Sequence, residues 1–273
     1  MIEFLVVIIL SIVEGLTEFL PISSTGHLIL TENLLKEFIP NYTLSKSFMD
    51  TFMIVIQFGA IIAVVVCFWN DISPFTLDHK KFKSRMVLWS KIIVGVIPAG
   101  VIGILGEEII SEFFMDNIYI IATTLIFYGI IFIIIDKKFK RNVIVSSLSE
   151  ITYKLAFIIG IFQCLAMIPG TSRSGATIIG ALLLGFSRPI SAEFSFFLAI
   201  PTMAGATLLK LMKNGMTFNR HELLLIVTGT VVSFLVAYAV IKWFMGYIKS
   251  KDFTAFGIYR IILGIIIFLT LIF

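Results

Sequence analysis

Charge is what this sequence has least of. Only 14% of its 273 residues are Asp, Glu, Lys or Arg, while 59% are hydrophobic and the mean hydropathy is +1.05. A soluble domain carries about 25% charged residues to cover its surface. The shortfall excludes an ordinary water-soluble globule, so lipid must cover part of the chain. Cysteine is scarce too. Cys67 and Cys164 both lie in apolar stretches, which excludes a disulfide framework or a cysteine metal motif. They read as small buried hydrophobes. The formal net charge of +4 is small and sits in loops. It points to membrane orientation and excludes nucleic acid as a partner. No basic residue precedes the apolar run Met1–Leu10, and Glu14 and Glu18 follow it. That start reads as retained, not as a cleaved signal peptide.

Long apolar runs are what the sequence has in plenty. A spanning helix needs about 20 mostly apolar residues. Six segments qualify: Phe48–Trp69, Trp89–Leu105, Ile118–Ile135, Ser191–Met212, Leu223–Tyr247 and Phe253–Phe273. Two further apolar regions are interrupted. Glu3–Leu20 runs into Pro21-Ile-Ser-Ser-Thr-Gly-His27, then Leu28–Leu35. Tyr153–Ile168 runs into Pro169-Gly-Thr-Ser-Arg-Ser-Gly175, then Ala176–Phe186. Proline ends a helix by removing a donor, and glycine permits the reversal that follows. Irregular backbone at membrane depth needs protein or a wet cavity around it. Both regions therefore read as re-entrant helical hairpins.

The order repeats: a broken hairpin, then three spans, in residues 1–140 and again in 150–273. Pro21, Ser24 and Gly26 echo Pro169, Ser172 and Gly175. An odd number of spans per half inverts the second copy, which places a site near the midplane where broken helices meet. The expectation is one all-α polytopic membrane domain over 1–273, with six transmembrane helices, two re-entrant hairpins and an inverted-topology repeat. Lys80, Lys81, Lys83 and Arg85 fall in one expected loop; Lys137, Lys138, Lys140 and Arg141 fall in another on the same side, as do Lys249 and Lys251. Glu107, Glu108, Glu112 and Asp116 mark the opposite side. The positive-inside rule makes the basic side cytoplasmic and puts the first hairpin's mouth outside. Lys210, Lys213 and Arg220 vote against that orientation. His79 and His221 fall in expected loops with no specific role.

Glu14 and Glu18 sit four apart, on one helix face. Each acid in a membrane costs roughly 2.5–3.5 kcal/mol on insertion scales, so something compensates. The compensation is a divalent cation, Arg173, a structural ion pair or one shared proton. Ser23, Ser24, Thr25, Gly26 and His27 offer hydroxyls, an imidazole and free N–H groups, which bind phosphate at a helix start. His27 is either a base, acid or nucleophile, or a capping histidine. The second break offers Ser172, Arg173, Ser174 and Thr177. Arg173 is the only basic residue between Ala156 and Ser187, and its planar fork suits phosphate oxygens. Gln163 stands about where Glu14 stands in the other arm, uncharged. One break thus carries catalytic groups and the other a phosphate clamp.

The runs Glu14-Gly-Leu-Thr-Glu18-Phe-Leu-Pro21-Ile-Ser-Ser24-Thr-Gly-His27 and Pro169-Gly-Thr-Ser-Arg173-Ser-Gly-Ala-Thr177 resemble the two signatures of the BacA-type undecaprenyl-diphosphatases, which are linked to bacitracin resistance. The resemblance covers nearly the whole chain. It implies hydrolysis of undecaprenyl diphosphate to undecaprenyl phosphate, which recycles the lipid carrier for bacterial cell-wall synthesis at the outer face of the plasma membrane. It implies a divalent cation, Mg²⁺ or Ca²⁺. Glu14 and Glu18 would bind it or activate the attack. Ser24 and His27 would be nucleophile or base, with water a third option, and Ser172, Arg173 and Thr177 would hold the diphosphate. The relay of the PAP2-type membrane acid phosphatases, which needs a His a few residues after the Arg, does not fit, because Arg173 is followed by Ser-Gly-Ala-Thr-Ile-Ile-Gly. A transporter or flippase for the lipid carrier is the competing reading, since inverted repeats serve transport. Oligomeric state is open, a homodimer included.

Overall fold

The computed structural model describes residues 2–39, 44–114, 117–138, 143–214 and 218–272, with side chains for all but 107–114, 136, 138, 213–214 and 271–272. In chain order the α-helices are α1 (Ile2–Thr17), α2 (Ser24–Phe38), α3 (Lys46–Cys67), the single turn α4 (Trp69–Ile72), α5 (His79–Phe114), α6 (Ile118–Lys138), α7 (Tyr153–Cys164), α8 (Arg173–Leu183), α9 (Arg188–Asn214), α10 (Arg220–Ser250) and α11 (Thr254–Ile272). No strand forms among the described residues; one isolated bridge joins Val145 to Phe186. Five helices are long and apolar enough to cross a membrane: α3, α5, α6, α9 and α10. On α10, Leu223, Val227, Val231 and Leu235 recur every fourth residue, each about half exposed. An apolar stripe of that length suits acyl chains and not water. The protein is a multi-pass membrane protein.

Two helix starts differ from expectation. Lys80, Lys81, Lys83 and Arg85 are not in a loop; they form the first turns of α5. Lys and Arg favour helix, and Asp78 Oδ1 accepts the N–H of Lys80 at 2.9 Å and of Lys81 at 3.3 Å. Arg220 and His221 likewise open α10. Asn219 and Glu222 cap each other's N–H groups reciprocally at 2.9 Å. His221 also has a partner, Glu3 Oε2 at 2.6 Å. Glu107, Glu108, Glu112, Asp116, Lys138, Lys140, Arg141 and Lys213 lie outside the residues whose side chains are described.

The helices pack in a pattern with its own regularity. α1 packs on α10 and α7 on α5; α3 packs on α10 and α9 on α5; α1 pairs with α2 and α7 with α8. α3 packs on α9, and α6 on α11. Exchanging α1 with α7, α2 with α8, α3 with α9, α5 with α10 and α6 with α11 swaps the members of each of the first three pairs of contacts and returns the α3–α9 and α6–α11 contacts to themselves. The α6–α11 crossing is close because both sides are glycine. A Cβ on Gly129 would lie 2.7 Å from the Gly257 carbonyl oxygen, and a Cβ on Gly257 would lie 2.7 Å from that of Gly129. At the centre, Phe194, Phe196 and Phe197 of α9 are fully buried with Phe19, Phe244 and Phe253. The aromatic run on α9 is therefore core.

Candidate active site

Both breaks end in the same local structure. Ser23 caps α2 and Ser172 caps α8, each with its Oγ accepting the N–H of a glycine three residues on, Gly26 at 3.4 Å and Gly175 at 3.1 Å. Both serines have left-handed backbone, with φ of 74° and 73°. These are the only described non-glycine residues so placed. Such a conformation costs a serine on the order of 1–3 kcal/mol and concentrates at functional sites. The equivalence corrects the expected register: Ser23, and not Ser24, matches Ser172. With that offset Ser24 matches Arg173, Pro21 matches Gly170, and Glu14 matches Gln163.

Glu18 is the point at which the two breaks meet. Its Oε2 accepts the Ser24 hydroxyl at 2.5 Å, and its Oε1 accepts Arg173 Nη2 at 3.1 Å. One carboxylate thus holds the first residue of α2 with one oxygen and the first residue of α8 with the other. Arg173 Nη1 donates to the Ser195 carbonyl at 2.9 Å, and its buried Nε has no partner. Ser174 Oγ lies 3.2 and 3.1 Å from the carbonyls of Glu18 and Leu20, a further tie between the breaks. Glu14, one turn before Glu18, is fully buried, and among the described residues no hydroxyl, amide or cation donates to its carboxylate oxygens.

The other candidate residues have varied placements. Thr177 is fully buried; it bonds back to the Arg173 carbonyl at 3.0 Å and lies 2.7 Å from Ser195 Oγ, so it braces the start of α8. Ser172 Oγ also lies 3.1 Å from Ser174 Oγ. Thr25 is exposed beside the cap, and Gly26 is buried. His27 stands apart from the carboxylates. Its Nδ1 is 2.7 Å from the Ser23 carbonyl, its Nε2 is 2.7 Å from the Tyr259 hydroxyl, and its ring stacks on Tyr259. A carbonyl only accepts, so Nδ1 carries a proton, and in the neutral ring Nε2 accepts from Tyr259.

Sequence reasoning missed Arg260, on α11. Its side chain is fully buried and ties the two breaks from below: Nη1 donates to the Pro21 carbonyl at 3.1 Å and Nη2 to the Gly170 carbonyl at 2.9 Å. Thr124 and Leu125 carbonyls lie at 3.5 Å. No carboxylate pairs with it among the described residues. Gly170 has φ of +84°, and a Cβ there would lie 2.2 Å from Thr124 Oγ1, so glycine is required for the carbonyl to sit as it does. The signal was available, because Arg260 is the one charge in the run 254–273 and an ionisable residue inside a span is a site candidate by default. Ser195 and Tyr259 carried no comparable signal.

Fold and site together define a multi-pass membrane protein with a buried polar site at the meeting of two broken helices, equipped with an acid–hydroxyl pair and an arginine fork. The chain belongs to the family of bacitracin resistance protein BacA, whose model matches residues 7–266. It is 58% identical over 268 residues to the undecaprenyl-diphosphatase of Fusobacterium nucleatum, covering 97% of this chain and 99% of that one. It is 55% identical to the undecaprenyl-diphosphatase of Lachnoclostridium phytofermentans (97% and 96% covered) and 52% identical to undecaprenyl-diphosphatase 1 of Clostridioides difficile (98% and 96% covered).

Proposed function

We propose that this protein hydrolyses undecaprenyl diphosphate to undecaprenyl phosphate and inorganic phosphate in the bacterial plasma membrane. The reaction recycles the lipid carrier for cell-wall synthesis, and bacitracin resistance follows from it. The observation that carries the reading is the Glu18 carboxylate shared between the Ser24 hydroxyl and the Arg173 guanidinium. Phosphoryl transfer is mostly positioning and charge stabilisation, and these groups supply both. The diphosphate draws Arg173 from Glu18 onto its terminal phosphoryl oxygens. Glu18 then takes the Ser24 proton as Ser24 Oγ bonds to the terminal phosphorus. The bond from that phosphorus to the bridging oxygen breaks, and undecaprenyl phosphate leaves. Water then attacks the phosphorus on Ser24, Glu18 returns its proton to Ser24 Oγ as that oxygen–phosphorus bond breaks, and inorganic phosphate leaves with the water's oxygen and protons. What favours Ser24 over His27 as nucleophile is that both His27 nitrogens are engaged away from the carboxylates.

A divalent cation fits the donors. Glu14 and Glu18 offer carboxylate oxygens, and the Glu14 pair is buried without a donor. Among the described residues no third His, Cys, Asp or Glu joins them. The rest of the shell then falls to Ser24, water and phosphate oxygens, which suits Mg²⁺ and also admits Ca²⁺. When bound, the ion neutralises charge on the transferring phosphoryl group. Chelation should abolish phosphate release, and added Mg²⁺ or Ca²⁺ should restore it; turnover unchanged in chelator would remove the metal from the reading.

The architecture belongs to the same proposal. The arms α1, α2, α7 and α8 have 16, 15, 12 and 11 residues, about 24 Å or less at 1.5 Å per residue, short of a 30 Å hydrocarbon core. They act as two re-entrant hairpins beside six spans, α11 being the sixth. The interchangeable packing partners support an inverted repeat of halves 1–140 and 150–273. The site opens to the outer face, opposite the basic start of α5. A flippase needs binding but no hydroxyl poised on a carboxylate, so transport is the weaker reading. The test is phosphate release from undecaprenyl diphosphate by purified protein in detergent. Wild type should release it, Ser24→Ala should not, and quenched wild type should carry phosphate on Ser24. A fully active Ser24→Ala protein would transfer the attack to water.

A further inference from the structure

A polar cavity, of 740 Å³, lies at the start of α5, and none of its residues belongs to the site at the breaks. Lys80, Lys81, Lys83, Arg85 and Lys91 line it, with Asp71 the one acid. Among the described residues none of these five cations forms an ion pair with a carboxylate. Arg85 is spent on the carbonyls of Ser73 and Asn70. Lys91 is 92% buried, since its exposure is 8%, and its ammonium reaches only the Ser149 carbonyl at 3.4 Å. Like charges three or four apart on a helix repel, so this concentration of cations calls for an anion.

The same helix says what kind of anion. Beyond the cavity, Ile93, Ile97, Val101 and Ile104 follow at spacings of four, four and three, exposed by 50, 47, 50 and 67%. By the helical period Lys83 and Met86 continue that stripe toward the cavity. Trp69, Phe75 and Phe82 are exposed beside it, and aromatic rings of this kind mark the membrane–water boundary. Cations above and an acyl-width aliphatic stripe below match an anionic lipid, and not a free phosphate, which needs no stripe. We propose that this cavity binds the phosphodiester headgroup of an anionic membrane lipid, with its chains lying along Ile93–Ile104. The site is independent of the phosphatase chemistry.

Native mass spectrometry of the full-length protein tests this, with phosphatidylglycerol and phosphatidylcholine offered in detergent. Wild type should retain phosphatidylglycerol preferentially. Each lysine removed should cut that preference about fivefold, the value of one basic residue near an anionic headgroup. The exposed triple variant Lys80→Gln, Lys81→Gln, Lys83→Gln should lose it and the buried single variant Lys91→Gln should weaken it about fivefold, both keeping phosphate release. If Lys91→Gln fails to fold, the exposed triple variant alone decides. Equal retention of the two lipids by wild type, or an unchanged preference in the triple variant, overturns the proposal. Displacement of the lipid by millimolar inorganic phosphate would make this a free-phosphate site and overturn it as well.

Discussion

Arg173 does two jobs with one plane, gripping Glu18 with Nη2 and the Ser195 carbonyl with Nη1. A lysine has one point of charge and cannot hold both directions. Arg173→Lys should lower kcat/KM by about ten- to a hundredfold, the value of one charge-assisted bond of roughly 1.5–3 kcal/mol, measured as phosphate release. Near-wild-type turnover would show that charge alone suffices. At this scale the sequence was informative about identity and less so about role. Two acids, a hydroxyl-rich break and a lone arginine were legible because charge is so rare in this chain. That Glu18 and not Glu14 is the shared carboxylate was not legible, since residues four apart on a helix look alike until their neighbours are placed. Thr177 and Ser174 look like phosphate ligands by composition, yet their hydroxyls are engaged by backbone and Ser195.

At the scale of the element, the two breaks are N-caps on left-handed serines. Composition located both breaks, but the register between them came out one residue wrong, because both prolines were aligned and backbone conformation was not visible. Pro21 and Pro169 are not equivalent; the capping serines are. Helix starts were misplaced for a similar reason, as Asp78 and Asn219 capped segments whose charges read as loop. The caps lead to a prediction with a built-in control. Ser172→Ala loses the cap yet keeps a Cβ at positive φ, so it should cost about 1 kcal/mol or more in thermal stability. Ser172→Gly relieves the backbone and should cost only a few tenths of a kcal/mol. Melting in detergent distinguishes them, and equal losses would mean the conformation is unstrained.

Across the whole molecule the breaks are held in place from two sides, by Glu18 within the site and by Arg260 beneath it. Arg260→Gln would leave main-chain carbonyls of both breaks without donors, at about 1–3 kcal/mol for each buried group left unpaired. The expected result is a lower melting temperature together with a fall in turnover, as the hydroxyl, carboxylate and fork lose register. A variant that melts early but turns over normally would reduce Arg260 to packing. Hydropathy alone located the five long apolar helices α3, α5, α6, α9 and α10, while the sixth expected segment, Phe253–Phe273, overlaps the shorter α11. Which spans touch was not, because lipid-facing and protein-facing sides carry similar residues when no water distinguishes them.

The reciprocal contact of Gly129 and Gly257 makes the α6–α11 crossing symmetric in its backbone and unsymmetric in its charge. Three residues past Gly257 stands Arg260; three past Gly129 stands Phe132, fully buried. An arginine in place of Phe132 would bury a second guanidinium with no acid among the described residues to pair it, an arrangement lipid would not tolerate. The crossing therefore carries a single cation, and both breaks share that one side chain as their common donor.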